Sequence, residues 1–177
     1  TMYPEFEVPE RFEQARLDGF EAVEFLFPYT TDADELKRAL DDSGLRYLLL
    51  NTPLGDAASG ERGLAGLPGR EADFLEGFAS SMNYARKLGV SMIHVMAGVV
   101  PEGVSRADCE GTLIANLRAV ADEAAAAGVT LLLEPLNHED TPGYLYSTSD
   151  AGARIIEAAG ITNLRLQFDF YHLQITE

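Results

Sequence analysis

What most constrains this chain is a unit repeated five times: an amphipathic stretch, a glycine, then a run of apolar residues. The glycines are Gly19, Gly44, Gly89, Gly128 and Gly160, followed by Phe20, Leu45, Val90, Val129 and Ile161. Glycine just past a helix adopts the left-handed conformation that ends it at little steric cost, and a strand can follow at once. The spacing predicts strands over 20–27, 45–51, 91–97, 129–134 and 164–169. These runs are close to continuously apolar, as strands covered on both faces are. Strands alternating with helices build a parallel α/β sheet with right-handed crossovers. The 177 residues amount to one domain at roughly 100–200 residues each. A complete (β/α)8 barrel takes about 250 residues. The pattern alone therefore leaves open a doubly wound sheet or part of a barrel.

The helices carry their own signals. Pro9 suits a first turn ahead of Phe12 and Ala15. Thr31 or Asp32 can cap a helix bearing Leu36, Ala39 and Leu40. Leu75, Phe78, Ala79, Met82 and Ala85 form a stripe at helical spacing. Ser105, with Asp108 three residues later, caps a long helix whose stripe is Leu113, Leu117, Val120 and Ala124. Ser149 opens the last helix, with Ile155, Ile156 and Ala159 inside.

Charge narrows the range of partners. Lys plus Arg total 13 and Asp plus Glu 29, a net charge of −16. Nucleic-acid grooves and anionic membrane surfaces reward clustered Lys and Arg, so neither is expected as a partner. No apolar run approaches the roughly 18–20 residues of a membrane span, and the start lacks a basic-then-apolar signal. One cysteine, Cys109, cannot form an internal disulfide and fits a reducing, cytoplasmic setting. It is read as incidental. The chain opens at Thr1 and stops at Glu177, which is read as a single domain over 1–177 that is incomplete at both ends.

Polar residues with ligand or acid–base chemistry gather at the carboxyl ends of the apolar runs. Asn51 ends the second run, and His94 lies within the third. Glu134 follows three leucines, and Asp169 closes the fifth run with His172 three residues on. That end of a parallel sheet hosts the active site in α/β folds. A carboxylate after three leucines is expensive to bury unless paired or metal-bound, and two carboxylates on neighbouring strands repel unless a cation lies between them or one is protonated. A hard divalent ion such as Mg²⁺ or Mn²⁺ relieves both costs through oxygen ligands. For Glu24, alternation leaves open an orientation into a barrel or a pairing with a neighbour. His138, Glu139 and Asp140 read as a solvated loop. The loop 52–70 contains five glycines together with Arg62 and Arg70, and reads as filler or as a binding loop. No GxGxxG follows a strand, and no GxxxxGK[ST], CxxC, HExxH or GxSxG occurs, which removes phosphate-loop, thiol-redox, zincin and nucleophile-elbow chemistry.

Several runs together are similar to a known family. They are Gly19-Phe20-Glu21-Ala22-Val23-Glu24-Phe25-Leu26-Phe27-Pro28-Tyr29, Gly60-Glu61-Arg62-Gly63-Leu64, Leu67-Pro68-Gly69-Arg70-Glu71, His94-Val95-Met96-Ala97-Gly98, Glu134-Pro135-Leu136-Asn137 and Gln167-Phe168-Asp169-Phe170-Tyr171-His172. They resemble the hydroxypyruvate isomerases of the xylose isomerase-like TIM-barrel superfamily. The resemblance implies a (β/α)8 barrel, of which about five to six βα units lie in this chain, the first strand being represented only by Thr1-Met2-Tyr3. It also implies a divalent metal held by four residues on separate strands. Glu134 and Asp169 match two of them; the other two, a glutamine or histidine and a second glutamate, have no counterpart before Glu177.

The implied reaction interconverts hydroxypyruvate and tartronate semialdehyde by proton transfer through an enediol(ate), an intramolecular oxidoreduction. It is ascribed to the intact protein. Glu134 matches the proton-transferring glutamate, and His172 would bond a substrate oxygen. Arg62 or Arg70 would hold the carboxylate of a small anionic hydroxy or oxo acid, with His94 and Asn51 also lining the substrate. A homo-oligomer is compatible with the family. The nearest alternatives are a 2-oxo-tetronate isomerase, a sugar epimerase of the same superfamily and a non-catalytic small-molecule-binding barrel. A barrel endonuclease would need several zinc-binding histidines and a basic face, whereas this chain has three histidines and a charge of −16.

Overall fold

A computed structural model describes residues 2–177. Five strands, β1 (Ala22–Glu24), β2 (Arg46–Asn51), β3 (Met92–His94), β4 (Thr130–Leu133) and β5 (Leu164–Leu166), form one sheet in sequential order. Every pairing is parallel. The helices α1 (Val8–Leu17), α2 (Ala33–Ser43), α3 (Glu71–Leu88), α4 (Arg106–Ala126) and α5 (Ser149–Ala159) alternate with the strands, and a short α6 (Phe170–Thr176) follows β5. Of the expected remnant Thr1-Met2-Tyr3, Thr1 lies outside the described residues, and Met2 and Tyr3 are not in a strand.

This sheet is an arc of a barrel rather than a flat layer. In a flat sheet, β1 and β5 would lie about 19 Å apart, four spacings of about 4.8 Å. Yet the Glu24 carboxyl on β1 is raised, first by burial and then by the charge of Asp169 just past β5, as expected where the two edges of an arc approach each other.

All five punctuating glycines have positive φ, and Gly44, Gly89 and Gly160 are the left-handed caps of α2, α3 and α5. Asp32 accepts from the backbone N–H groups of Asp34 and Glu35, and Ser105 from that of Asp108. At α5 the cap is Thr148, one residue before the expected Ser149. The α3 stripe is also rotated from its expected position. Phe74, Phe78, Met82, Ala85 and Leu88 are buried, and Leu75 is exposed. The misleading residue is Ser81, a polar side chain on the core face. Its hydroxyl donates to the Gly77 carbonyl (2.9 Å) and meets the Tyr29 hydroxyl (2.8 Å).

The strands are shorter than the apolar runs that predict them, because the ladder is handed to side chains and loops at the carboxyl ends. Past His94, the Met96 N–H donates to Thr52 Oγ1 and the Ala97 N–H to the Tyr144 hydroxyl, both at 2.9 Å. Past Leu166, the Gln167 N–H still reaches the Leu133 carbonyl, but Asp169 leaves the ladder to cap α6. The loop 52–70 is built in rather than loose. Gly63 bridges to Ala97, Ala65 and Gly66 donate to the Met96 and Ala97 carbonyls, and residues 63–67 are buried. These extensions lie at the carboxyl ends of the strands.

Candidate functional site

Glu134 is the first residue after β4, and its side chain is nearly buried. Asp169 and His172 come from the start of α6, after β5. One potential ligand atom from each of these three residues lies within 4.8 Å of the others. The neighbours of Glu134 make it a weak acid: burial is the largest cause, the Asp169 charge the next, and its carboxyl is pushed up to about 8. The side-chain amide of Gln167 pulls the other way by bonding the charged form.

His172 is oriented by a residue without a role in the sequence reading. The Asn137 backbone N–H donates to His172 Nδ1 at 3.2 Å, and Asn137 Nδ2 lies 2.8 Å from the same nitrogen. A backbone N–H can only donate, so Nδ1 is the acceptor and the neutral ring carries its proton on Nε2. His172 thereby keeps an N–H donor on Nε2. Asn137 is itself locked, its Oδ1 accepting from the N–H groups of Glu139 and Asp140 and its Nδ2 donating to Asp140 Oδ2. Asp140 also accepts from the Tyr171 hydroxyl at 2.7 Å. His138 and Glu139 are solvated as expected, but Asp140 ties the β4 loop to α6.

His94 ends β3, with Asn51 of β2 as its register partner. Its ring is 0% exposed, and Nδ1 lies 3.3 Å from Glu134 Oε2 without the alignment of a hydrogen bond. Burial and the nearby His172 push its pKa down to about 3, so the ring is neutral. Asn51 is buried and turns its amide toward Met96 Sδ (3.5 Å).

The buried polar atoms without partners, among the described residues, are Asn51 Oδ1, both ring nitrogens of His94, the Tyr146 hydroxyl and Gln167 Oε1. His94 Nδ1 lies 3.3 Å from Glu134 Oε2, Asn51 is the register partner of His94, Gln167 lowers the Glu134 carboxyl pKa, and the Glu134 charge helps raise the Tyr146 hydroxyl. Folded proteins pair nearly all such atoms, and a cluster of unpaired ones marks a place shaped for a polar guest. The two carboxylates of the group, Glu134 and Asp169, also fit a hard divalent cation, while His172, with Nδ1 occupied by the Asn137 N–H and the proton on Nε2, offers no free ring lone pair. Tyr146 and Gln167 escaped the sequence reading, although Gln167 alternates with Asp169 and Tyr146 with the buried Tyr144, a spacing of two that shares a face.

The two arginines stand apart from this group. Arg70, just ahead of α3, is paired with Glu61 and Asp73. Arg62 Nη1 donates to the Glu61 carbonyl (2.8 Å) and the Ala57 carbonyl (3.4 Å), and no ion pair of Arg62 occurs among the described residues. No hydrogen bond or ion pair joins either arginine to the Glu134 cluster. Cys109 is a buried core residue of α4.

In the metal-free protein the raised Glu134 carboxyl links stability to pH. An unfolded glutamate titrates near 4.3 and the folded one at about 8. The stability contribution is fully present below the unfolded value and is lost as pH rises through the folded one. We expect Glu134→Gln to remove a loss of a few kcal/mol between about pH 4 and pH 8, read as the difference between variant and wild-type urea midpoints in chelator. Parallel pH curves for the two proteins would contradict this assignment.

The xylose isomerase-like TIM-barrel family model matches residues 12–177. The chain is 50% identical to the 2-oxo-tetronate isomerase of Cupriavidus necator and 41% identical to the hydroxypyruvate isomerase of Escherichia coli. Each alignment covers 99% of this chain and 68% of the relative. A solved structure described as an AP endonuclease, family 2, from Brucella melitensis superposes with a TM-score of 0.97 at 41% identity, covering 100% of this chain and 68% of that one. A parallel arc with its acidic cluster at the carboxyl ends of the strands, matched over almost its whole length by proteins named as isomerases, makes this chain an isomerase of the xylose isomerase-like TIM-barrel family.

Proposed function

We propose that the protein interconverts hydroxypyruvate and tartronate semialdehyde by moving a proton between adjacent carbons through an enediolate. The observation that carries this reading is the buried, weakly acidic Glu134, set beside Asp169 and ringed by unpartnered polar atoms. A carboxylate poised near neutral pH is suited to taking a proton from carbon and returning it to the neighbouring carbon. The His172 Nε2–H would donate to a substrate oxygen as charge develops there. Arg62, which lacks an acidic partner, is the better placed of the two arginines to receive the substrate carboxylate, because Arg70 is already neutralised. Glu134 and Asp169 would hold a divalent cation, Mg²⁺ or Mn²⁺. When bound, such an ion supplies positive charge to vicinal oxygens and eases formation of the enediolate. The His172 tautomer leaves that residue to the substrate, despite its closeness to both carboxylates.

A four-carbon 2-oxo-tetronate is the second reading, favoured by the 50% identity to a protein of that name. The net charge of −16 argues against DNA as a substrate. The test is turnover of both acids by the full-length protein with Mg²⁺ or Mn²⁺. A higher kcat/KM for hydroxypyruvate supports the first reading, a higher value for the four-carbon acid supports the second, and turnover of neither overturns both. Asp169→Asn is expected to weaken activation by metal by roughly 10–100-fold, with rate partly restored by excess Mn²⁺. An unchanged metal dependence would remove Asp169 from the cation site.

A further inference from the structure

We propose that Asp140 is a positioning residue for the reaction: its carboxylate ties the start of α6 to the loop after β4 and so fixes where the His172 ring stands beside Glu134 and Asp169. This rests on the assignment of His172 to a substrate oxygen.

Glu134 and His172 belong to different elements, and the sheet does not fix one against the other. Past β5 the Gln167 N–H still reaches the Leu133 carbonyl at 2.8 Å, after which the chain leaves the sheet. The helix α6 has one buried side chain, Leu173, while Phe170 and Tyr171 are exposed. Apolar packing therefore holds it weakly, and its placement falls to hydrogen bonds. Its far end is tied separately, Glu177 Oε1 accepting from the Ser149 N–H at 2.6 Å. Among the described residues, the hydrogen bonds between α6 and the loop from β4 to α5 all run to Asn137 or Asp140.

Asp140 joins the two sides through one oxygen. Its Oδ2 accepts from Asn137 Nδ2 at 2.8 Å and from the hydroxyl of Tyr171, the chain neighbour of His172, at 2.7 Å. Asn137 is fully buried, and its amide is held in one orientation because Oδ1 accepts from the N–H groups of Glu139 (3.0 Å) and Asp140 (2.8 Å). Its Nδ2 is left with one hydrogen for Asp140 and one for His172 Nδ1, 2.8 Å away. An aspartate is ionised at neutral pH, and a charged acceptor makes stronger hydrogen bonds than a neutral one. Without this carboxylate the loop keeps Asn137 but loses its hold on Tyr171, and the His172 ring is free to shift. A misplacement of about 1 Å in a positioning contact can cost about 10²-fold in rate.

The test is steady-state kinetics of the full-length protein with Mg²⁺ or Mn²⁺, using whichever of the two acids it turns over. Asp140→Ala is expected to lower kcat by roughly 10–100-fold, with KM changed by less than about threefold. Asp140→Asn keeps an oxygen able to accept from both donors, so its kcat should stay within about fivefold of wild type. Tyr171→Phe removes one of the two bonds and should fall between wild type and Asp140→Ala. The deciding arm is a double-mutant cycle with His172→Ala. If Asp140 acts through His172, adding Asp140→Ala to His172→Ala costs less than about threefold more. A merely structural Asp140 would lower kcat by the same factor in both backgrounds. Equal losses in both backgrounds, wild-type kcat in Asp140→Ala, or Asp140→Asn as damaging as Asp140→Ala would overturn the proposal. If His172→Ala proves fully active, the assignment of His172 to the substrate fails. If His172→Ala is impaired but Asp140→Ala is not, only the role of Asp140 fails.

Discussion

Glu134→Gln is expected to lower kcat by at least about 10²–10⁴-fold while substrate binding persists. Glutamine keeps the size of the side chain and an oxygen able to face a cation, but it cannot take a proton from carbon. The surroundings make the contrast sharp. In the metal-free protein the carboxyl is raised to about 8 by burial and by Asp169, so the group holds a proton more tightly than an exposed glutamate. The check is steady-state kinetics at saturating Mg²⁺ or Mn²⁺, with substrate affinity measured separately. Near wild-type turnover would end the base assignment, and a loss confined to KM would make Glu134 a binding group.

Gly63→Ala is expected to destabilise the fold by at least about 3 kcal/mol, through overpacking against main chain rather than against a flexible side chain. A Cβ at Gly63 would sit 2.3 Å from the Met96 carbonyl oxygen, and the residue has φ of +116°. The opposing segment is equally tight, for a Cβ on Gly98 would come within 2.5 Å of the Gly63 carbonyl oxygen. This crossing pins the loop 52–70, and Arg62 with it, onto the extension of β3. At about 2–4 °C per kcal/mol for a chain of this size, the melting temperature should fall by at least roughly 6–12 °C. Gly69→Ala is the control. Gly69 also has positive φ but nothing within 4 Å of a built Cβ, so it should cost only about 1–2 kcal/mol. Equal shifts for the two variants would show that conformational strain alone, not the crossing, is at work.

The glycine-punctuated repeat carried most of the fold, because a helix end and the start of a buried strand are both local events written in adjacent residues. Strand lengths were not legible in the same way. Val95, Met96 and Ala97 are as apolar as Ile93, but their backbone partners include Thr52, Tyr144 and the loop around Gly63, far away in sequence. Glu134 and Asp169 could be singled out because a carboxylate closing an apolar run is costly unless something answers it. Asn137 was harder to read: its part is to accept from its own turn and to set the His172 tautomer, which becomes visible only when α6 is folded against the β4 loop. Arg70 shows the converse. With Arg62 it reads as a group to hold a substrate carboxylate, and its pairing with Glu61 and Asp73 depends on contacts that the sequence does not display.

The central claim is that a proton moves between adjacent carbons by way of a carboxylate base. The most direct measurement is conversion of hydroxypyruvate by the full-length protein in D₂O, with the product examined for deuterium at the carbon bearing the new C–H bond. If the substrate C–H gives its proton to Glu134 to form the enediolate, the proton held on Glu134 exchanges with solvent before it is delivered to the neighbouring carbon, so deuterium should appear there in wild type and be lost along with turnover in Glu134→Gln. Turnover with complete retention of the substrate hydrogen would contradict this account and point to a direct hydride shift with Glu134 as a ligand only.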